Sequence, residues 1–518
     1  MSYRLGIDVG GTNTDAVILD DTQQVIASTK THTTADVESG IHNAIATVLA
    51  DSAIDPDQIT AAMLGTTQAT NAIVERKQLA TVGVVRLGYP ATAAITPYTE
   101  WPEDLVHTLS GTYSLAHGGY EYDGQLLTAV DDDELRRIFT SWVGKIEAIA
   151  IVGVFSALNR DQEERAAVIA KSVFGSEMPV SLSATIGSIG LITRENATIL
   201  NAGLYRVIQR VTTGFASALR HEGITHAAQY LCQNDGTLMA LDYAAKYPIL
   251  TIGSGPTNSI RGAAYLAHQH NALILDIGGT TSDLGALVHD FPRESSQAVT
   301  VGGVKTNFRM PDILSIGLGG GSIIRQRPDG SVTVGPDSVG YQITEKALCF
   351  GGDTITTTDI AVRLGHVQLG DPEKTQVIPE ALATTAAAKI QAMLAEAIDK
   401  MKTSAEPVDL ILVGGGALIV TASLPGVSRT FDSPLGGVAN AIGATIAQIG
   451  GQYEKLYQYV DIARADAIAD ATALAKAQAV DAGAIAETIK VVDVEETPLQ
   501  YAPGDSTRVK VKVVGKMA

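Results

Sequence analysis

The sequence predicts a mixed α/β fold in which two domains flank a ligand-binding cleft. Two observations support this prediction. Strand-like and helix-like segments alternate along most of the chain, and a glycine-rich turn between two strands occurs once in each half. The length of 518 residues fits roughly two to four domains. We expect domains at residues 1–190 and 191–455, followed by a helical segment and a C-terminal β-hairpin at 456–518.

The first half predicts a hairpin that opens a sheet, with strands at residues 4–9 and 15–19 around the first glycine turn. Helical spacing and short apolar runs alternate after it. The predicted helices are 36–49, 131–142 and 162–174, and the predicted strands are 61–65, 82–87 and 148–155.

The second half begins with a long helical stretch, residues 194–220, which we expect to link the halves. A strand at 272–276 leads into the second glycine turn and the strand 283–288. The remaining elements are a glycine-rich loop at 317–322, a helix at 381–400, a strand at 410–413, an alanine-rich helical region from about 450 to 489 and a hairpin at 491–514 with its turn at 503–505.

The two glycine turns share the pattern Asp-x-Gly-Gly-Thr-x-x-Asp, at residues 8–15 and 276–283. Five residues match at identical spacing. With ordinary residue usage, one such match has a chance on the order of one in a few thousand in a chain of this length. A single copy is consistent with an ordinary glycine β-turn, whereas the pair indicates one function performed twice.

The residue types of the two turns suit phosphate binding. Paired glycines let backbone N–H groups approach phosphate oxygens with no Cβ in the way, and threonine hydroxyls add further donors. The sequence therefore predicts that ATP phosphates are held by Gly10, Gly11, Thr12, Asn13, Thr14, Gly278, Gly279, Thr280 and Thr281.

Asp8 and Asp276 stand at the ends of the strands that enter the turns. A carboxylate in this position can hold Mg²⁺, usually through water, or orient the attacking group. We predict ATP and Mg²⁺ as cofactors and leave open which aspartate performs which role. The chain contains no Gly-Lys-Ser/Thr loop of the Walker type.

A third glycine turn, Gly414, Gly415 and Gly416, follows the predicted strand at 410–413. Together the three turns resemble the phosphate and adenosine motifs of the actin-like ATPases, the superfamily that also contains sugar kinases and heat-shock ATPases. This resemblance implies two actin-like, ribonuclease H-like domains around an ATP cleft, with the third turn against the adenosine. Taken alone, the third turn is also typical of a simple strand-to-helix connection.

Further segments resemble the hydantoinase/oxoprolinase family, in particular a short form of its ATP-binding A-type subunit. These segments are residues 65–77, 194–198, 253–256, 315–323, 334–338 and 357–359. The chain departs from the family pattern at 341–350, where it reads YQITEKALCF in place of a stretch that often contains Pro-Gly-Pro-Ala-Cys-Tyr.

This resemblance implies ATP-dependent hydrolysis of a cyclic amide, such as 5-oxoproline, a hydantoin or a lactam. Phosphorylation would activate the amide carbonyl, and the chain would act alone or as the ATP-hydrolysing subunit beside a B-type subunit or further copies of itself. Two alternatives remain open: a small-molecule kinase acting on a sugar or acid, and a protein-directed reactivating ATPase.

Two groups of residues are candidates for substrate binding. Thr66, Thr67, Thr70 and Asn71 stand at a predicted strand-to-helix junction, where free N–H groups can receive a ligand; an ordinary helix cap explains them equally well. Gly320 and Ser322 lie in the glycine-rich loop and carry the same two interpretations. Arg194, Glu195 and Asn196 either fix the linking helix or touch substrate.

Composition limits the remaining possibilities. The formal net charge is −19 and no cluster of lysine and arginine is present, which argues against nucleic acid and anionic membrane as partners. No segment offers the ~20 apolar residues of a membrane helix, so we expect a cytoplasmic protein. Cys232 and Cys349 are in no metal-ligand spacing, and the neighbouring His268 and His270 are expected to form a surface pair rather than a metal site.

Overall fold

The structure, a computed structural model, describes residues 2–10, 13–32, 37–122, 124–187, 189–295, 299–308, 310–499 and 505–517. Strands and helices alternate, as the sequence predicts. The strands are β1 (Tyr3–Val9), β2 (Asn13–Asp20), β3 (Val25–His32), β4 (Ile59–Thr66), β5 (Val82–Tyr89), β6 (Thr112–His117), β7 (Ala148–Gly153), β8 (Val180–Leu182), β9 (Ala228–Cys232), β10 (Leu238–Ala240), β11 (Ala272–Ile277), β12 (Ser282–Val288), β13 (Phe291–Pro292), β14 (Val299–Val301), β15 (Val304–Thr306), β16 (Ile313–Ile316), β17 (Ser322–Gln326), β18 (Val332–Ser338), β19 (Val408–Val413), β20 (Val427–Phe431), β21 (Ile449–Gln458), β22 (Lys490–Pro498) and β23 (Ser506–Gly515).

The helices cover the faces of the sheets. They are α1 (Val37–Ser52), α2 (Gln68–Glu75), α3 (Glu103–Thr108), α4 (Asp132–Trp142), α5 (Asp161–Phe174), α6 (Leu191–Gly203), α7 (Tyr205–His221), α8 (Leu241–Lys246), α9 (Ser254–Ala267), α10 (Ile343–Lys346), α11 (Thr357–Arg363), α12 (Glu380–Met401), α13 (Ala439–Ile446) and α14 (Arg464–Asp481). Within the described residues, no helix combines the length and the apolar character that crossing a bilayer requires.

The largest sheet has nine strands in the order β22-β23-β21-β10-β9-β4-β1-β2-β3. Strand β1 pairs antiparallel with β2 and parallel with β4, which places the first glycine turn at the carboxyl end of β1. Helices α1 and α7 bury their apolar faces against this sheet. The first glycine turn therefore lies at the end of an interior strand of a well-packed sheet.

The C-terminal segment belongs to this same sheet. Strand β21 pairs parallel with β10, and β23 pairs antiparallel with β21 and β22. Helix α14 packs on it through four fully buried alanines at four-residue spacing: Ala467, Ala471, Ala475 and Ala479. Residues 456–518 do not form the separate tail that is predicted from the sequence. Their apolar side chains complete the core of the nine-stranded sheet. The predicted turn residues 503 and 504 lie outside the described residues.

A second unit within the first 190 residues is a parallel sheet in the order β6-β5-β7-β8. Helices α4 and α5 cover it and enclose a core of its own around Phe139 and Trp142. The predicted domain 1–190 therefore contains strands of two different sheets. Its stretches of alternating strand and helix follow the prediction, but the sheet to which each strand belongs could not be read from their order.

The second half forms a sheet in the order β13-β12-β11-β19-β20, with β16 also paired to β12. Strands β11 and β12 are antiparallel around the second glycine turn, and β11 is parallel to β19. The long helix α12 packs on this sheet. The hairpin of β11 and β12 thus repeats the arrangement of β1 and β2.

Helices α9 and α13 cross in direct backbone contact between the two sheets. A Cβ on Gly262 of α9 would lie 1.8 Å from the carbonyl oxygen of Ala439, and a Cβ on Gly443 of α13 would lie 1.9 Å from that of Asn258. Glycine at both positions is required by this close approach. The crossing brings the side chains of both helices to the two glycine turns.

Candidate nucleotide site

The two glycine turns have the same backbone arrangement. The amide of Gly10 donates to the carbonyl of Asn13 at 3.0 Å, and that of Gly278 donates to the carbonyl of Thr281 at 2.9 Å. In both hairpins the two aspartates of the motif face each other across the strands, Asp8 opposite Asp15 and Asp276 opposite Asp283. Gly11 and Thr12 lie outside the described residues.

Asp8 is buried, with 3% of its surface exposed. Its carboxylate accepts hydrogen bonds from Asn258 Nδ2 at 3.4 Å and Asn440 Nδ2 at 3.3 Å. Burial raises the pKa of this carboxyl, and the two amides oppose the rise. Gly65 leaves space for the Asp8 side chain, because a Cβ at position 65 would lie 2.3 Å from Asp8 Oδ1 and would clash with it.

Asp276 occupies the equivalent place in the second hairpin and is partly exposed. Ser259 Oγ donates to its Oδ2 at 2.6 Å. Burial raises the pKa of Asp276 to about 6; Ser259 opposes the rise, while the charges of Asp283 and Asp8 add to it. The two halves of the chain therefore place their carboxylates close enough to influence each other's ionisation.

One helix touches both carboxylates. Asn258 and Ser259 are neighbours on α9, and they contact Asp8 and Asp276 respectively. Ser254, at the start of the same helix, donates to the carbonyl oxygen of Thr66 at 3.2 Å. Helix α9 thus connects the first hairpin to the second through consecutive polar side chains.

The sequence prediction missed Asn258, Ser259 and Asn440. A signal for the first two exists: the polar run of residues 257–259 follows the family-like segment 253–256 and lies in a helix that the structure buries on several sides. Polar side chains inside a buried helix require partners. No comparable signal marks Asn440.

The four aspartates of the two motifs concentrate negative charge. Like charges directly opposite on antiparallel strands destabilise a sheet. Lys30 on β3 offsets part of this charge, with its Nζ 2.9 Å from Asp15 Oδ1. Even so, burial outweighs Lys30 and raises the pKa of Asp15 to about 6. Oxygen donors with surplus negative charge fit a hard divalent cation such as Mg²⁺; the assignment of Mg²⁺ to Asp8 and Asp276 stays a prediction.

The second turn is supported from behind by two other glycine segments. Gly416 donates to the carbonyl of Ile277 at 2.7 Å, and Gly320 donates to that of Gly278 at 2.9 Å. A Cβ on Gly414 would lie 2.4 Å from Asp276 Oδ1. These glycines allow three chain segments to meet at one point.

The front of the second turn is open. Gly279, Thr280 and Thr281 are exposed, as is Gly415, whose Cβ position has no atom within 4 Å. These residues are accessible to a phosphate or a nucleoside. The assignment of Gly414, Gly415 and Gly416 to adenosine stays a prediction.

Three predicted ligand residues are enclosed by protein instead. Ser322 is fully buried, and its Oγ accepts a hydrogen bond from the Gly319 amide at 2.8 Å. Gly320 is buried, and its carbonyl accepts from Thr357 and Thr358. Thr14 is fully buried within β2. In this structure Ser322 and Gly320 shape the loop, and Thr14 is enclosed within its strand. Their contacts with substrate and phosphate stay predictions.

The other substrate candidates gather beside the first hairpin. Thr67 donates to the carbonyl of Val9 at 3.4 Å through its amide and through its hydroxyl, and Asn71 Nδ2 donates to Thr67 Oγ1 at 3.4 Å. Thr66 is buried, with its hydroxyl accepting from the Gln68 amide. Thr67, Thr70 and Asn71 are partly exposed at the start of α2. Their contact with substrate stays a prediction.

The motif at 194–196 fixes helix α6. Glu195 forms a fully buried ion pair with Arg86 at 2.6 Å, Arg194 donates to the carbonyl of Gly153 at 2.6 Å, and Asn196 accepts from Trp101 Nε1 at 2.8 Å. All three side chains are buried. Of the two interpretations, the structure supports the structural one.

Two family profiles match this chain. The profile of the hydantoinase/oxoprolinase N-terminal region matches residues 4–174, and the hydantoinase/oxoprolinase profile matches residues 194–371. Together they cover more than half of the chain.

Individual relatives agree with the profiles. The chain is 25% identical over 404 residues to the caprolactamase subunit alpha of Pseudomonas jessenii, which covers 71% of this chain and 55% of that protein. It is 25% identical over 394 residues to the acetone carboxylase beta subunit of Xanthobacter autotrophicus, covering 70% and 54%. The chain thus matches about half the length of these relatives.

The fold is shared with a solved structure, the ATP-dependent caprolactamase from Pseudomonas jessenii. The TM-score is 0.80 at 19% identity, with 100% of this chain and 88% of that chain covered. At this identity the likeness establishes the mixed α/β fold.

Proposed function

The chain belongs to the hydantoinase/oxoprolinase family, and from this premise we propose that it hydrolyses ATP to open a cyclic amide, such as 5-oxoproline, a hydantoin or a lactam. One observation carries the proposal. Two aspartate-ended glycine turns of equal register are joined by a single helix, whose neighbouring residues Asn258 and Ser259 contact the two aspartates.

The same observation supports the finer interpretation of the fold. The two hairpins present equivalent backbone amides and carboxylates, an arrangement that suits a phosphate-containing ligand bound between the two hairpins. We therefore propose two actin-like ATPase domains with ATP in the cleft between the hairpins. The exposed Gly279 amide and the hydroxyls of Thr280 and Thr281 would bind phosphate oxygens, while Gly278 would shape the turn through its amide hydrogen bond to Thr281. Gly415 would lie against the nucleoside.

Asp8 and Asp276 would hold Mg²⁺, which supplies positive charge to the phosphate oxygens when bound. The hydrogen bonds from Asn258, Asn440 and Ser259 fix the two carboxylates in orientation. Lys30 reduces the repulsion between them and a triphosphate. Positioning and charge stabilisation supply most of the rate enhancement in phosphoryl transfer.

The chemical step balances as follows. The amide carbonyl oxygen attacks the γ-phosphorus, an O–P bond forms, and the bond to the leaving ADP oxygen breaks. The resulting imidate-like phosphate has a more electrophilic carbon than the amide. Water adds to this carbon, and the ring C–N bond breaks with proton transfer to nitrogen, which leaves an amine and an acyl phosphate. A second water then cleaves the acyl phosphate into a carboxylate and inorganic phosphate. An aspartate near the γ-phosphate would orient the amide oxygen or the water.

A second subunit fits this scheme. Both relatives bear the names of subunits, a caprolactamase alpha and an acetone carboxylase beta subunit. We propose that this chain supplies the ATP-dependent activation and that a B-type partner, or another copy of the chain, completes the hydrolysis.

The likeness to the acetone carboxylase subunit favours a second candidate function, the ATP-dependent activation of a ketone for carboxylation. Both candidates share transfer of a phosphoryl group to a carbonyl oxygen. They differ in the acceptor and in the bond that is formed or broken afterwards.

A substrate panel separates these functions. The purified chain is incubated with Mg²⁺ and ATP in the presence of 5-oxoproline, hydantoins, lactams, small ketones with bicarbonate, and sugars, while ADP and the organic product are followed together. We expect a cyclic amide to stimulate ADP release and to open in step with it, at least after a B-type subunit is added. Accumulation of a stable phosphorylated sugar would overturn the proposal, and ketone-dependent ADP release would favour the second candidate.

A further inference from the structure

A cluster outside the two glycine turns combines three side chains that bind transition metals. His42 lies on α1, and His221 and Glu222 lie at the end of α7. One nitrogen from each histidine and a carboxylate oxygen of Glu222 all lie within 4.8 Å of one another. Neither the proposed ATP chemistry nor the family profiles assign a role to this cluster, which we call the His-His-Glu cluster.

Its three side chains converge on one atom. His42 Nδ1 is 2.8 Å and His221 Nδ1 is 3.1 Å from Glu222 Oε1. The imidazole rings meet edge to face, with centroids 4.4 Å apart and an interplanar angle of 83°. A tetrahedral zinc ion with bonds of about 2.0–2.1 Å holds its ligand atoms roughly 3.3 Å apart. Two of the three separations are therefore already close to those of a metal site.

Hydrogen bonding alone does not account for the closest of these contacts. His42 Nδ1 is shielded from solvent, yet among the described residues it makes no hydrogen bond of acceptable geometry, although Glu222 Oε1 is 2.8 Å away. A buried polar atom without such a partner is uncommon. A cation between the nitrogen and the oxygen would satisfy both.

We propose that His42, His221 and Glu222 bind one Zn²⁺ ion, which cross-links α1 to the end of α7. Two imidazoles and one carboxylate form a ligand set typical of zinc and unlike the all-oxygen set that Mg²⁺ or Ca²⁺ requires. The two helices pack on the same core of the nine-stranded sheet, so the ion stabilises this half of the molecule. His221 is 72% exposed, which leaves room for water as the fourth ligand.

The test uses the full chain, stripped with EDTA and dialysed, and titrated with ZnCl₂ by calorimetry near neutral pH. The expected result is one Zn²⁺ per chain and a higher thermal midpoint with zinc. His42→Ala and His221→Ala should each weaken zinc binding by at least about 100-fold, the upper end of the loss caused by removing an outer-shell partner. Because His221 is exposed, its replacement should leave the metal-free protein folded.

His270→Ala is the matched control. His270 pairs with a carboxylate, Asp290, at 2.6 Å and is 76% exposed, and no second histidine within the described residues completes a metal-binding group there. This variant should bind zinc as the unchanged chain does. Absence of stoichiometric zinc binding by the unchanged chain, or equal binding by the His221→Ala variant, would overturn the proposal. Neither outcome bears on ATP turnover, so the proposed function is tested separately.

Discussion

Asp276 gives the most direct prediction at the level of single residues. Replacing it with asparagine removes a charge that we assign to Mg²⁺ binding or to alignment of the attacking group, while the shape of the side chain is kept. Asp276→Asn should lower ATP turnover by orders of magnitude and leave the thermal midpoint of unfolding nearly unchanged. ADP release and thermal unfolding measure the two effects. Near-normal turnover would refute the assigned role.

Asn440 is predicted to act through Asp8. It donates one of the two amide hydrogen bonds that the buried carboxylate accepts, and hydrogen bonds to charged groups contribute about 1.5–3 kcal/mol. Asn440→Ala should therefore reduce ATP turnover about tenfold or more. Asn43→Ala, at an exposed position on α1, serves as the control and should have normal turnover. Equal rates in both variants would show that Asp8 does not depend on Asn440.

The sequence predicted part of this site because the motif residues are close together along the chain. A repeated turn identifies Asp8 and Asp276 directly. The hydrogen bond from Asn440 to Asp8 joins residues 432 positions apart, and such a contact depends on how two helices cross. The buried states of Thr14 and Ser322 also follow from packing, which local residue types do not specify.

At the scale of elements, the crossing of α9 and α13 requires Gly262. A Cβ there would lie 1.8 Å from a backbone carbonyl oxygen, so the helices must separate, and overpacking of this kind costs about 1–3 kcal/mol or more. Gly262→Ala should lower the thermal midpoint and also ATP turnover, because α9 carries Asn258 and Ser259. Thermal unfolding and ADP release provide the two measurements.

Gly214 in α7 supplies the matched control for this glycine substitution. Its Cβ position has ordinary contacts, the nearest atom being Glu38 Cβ at 3.5 Å. Alanine favours a helix over glycine by about 1 kcal/mol, so Gly214→Ala should leave the midpoint unchanged or raise it. If both substitutions behave alike, the close helix crossing does not limit stability.

Helices and strands were predicted well where the hydrophobic pattern of neighbouring residues determines them. The strand predicted at 283–288 is β12 (Ser282–Val288), and the helix predicted at 381–400 is α12 (Glu380–Met401). The helical stretch predicted at 194–220 is confirmed, but the chain forms it as two helices, α6 and α7, with a break at Leu204. Next to the break, a Cβ on Gly203 would lie 2.7 Å from the Leu109 side chain. Helical periodicity in the sequence does not reveal a tertiary contact of this kind.

At the scale of the whole molecule, a buried ionic cluster joins the C-terminal strand to the second half. Lys510 Nζ lies 2.5 Å from Glu294 Oε2, and Lys512 Nζ lies 3.0 Å from Asp235 Oδ2. Both lysines are almost fully buried. Burial lowers the pKa of Lys512, but Asp235 and Glu294 outweigh it and raise the pKa overall. The cluster ties β23 to the segment that follows β13.

Glu294→Ala should therefore destabilise the protein. It leaves Lys510 buried without this carboxylate, and breaking a buried ion pair costs about 3–5 kcal/mol. The thermal midpoint should fall by at least about 3 °C. Glu396→Ala removes an exposed carboxylate that pairs with Lys400 and should have little effect. A similar midpoint for both variants would contradict the role of the buried cluster.

The arrangement of the sheets was beyond the sequence prediction for the same physical reason. The pairing of β21 with β10 and β23 unites residues near 240, 450 and 515, and strand pairing over such separations depends on the complete fold. The duplicated hairpin is a property of local pattern and repetition, which is why the sequence predicts it. The membership of residues 456–518 in the first sheet is a property of the assembled core.

The central claim is that the two hairpins act on one triphosphate, and a double-mutant cycle on ATP turnover tests it. ADP release is measured for the unchanged chain, Asp8→Asn, Asp276→Asn and the double variant under the same Mg²⁺ and ATP. Residues that act as one unit show strongly non-additive effects. We therefore expect the double variant to be no slower than the slower single variant. Additive losses, or full turnover in either single variant, would show that the two turns do not serve the same nucleotide.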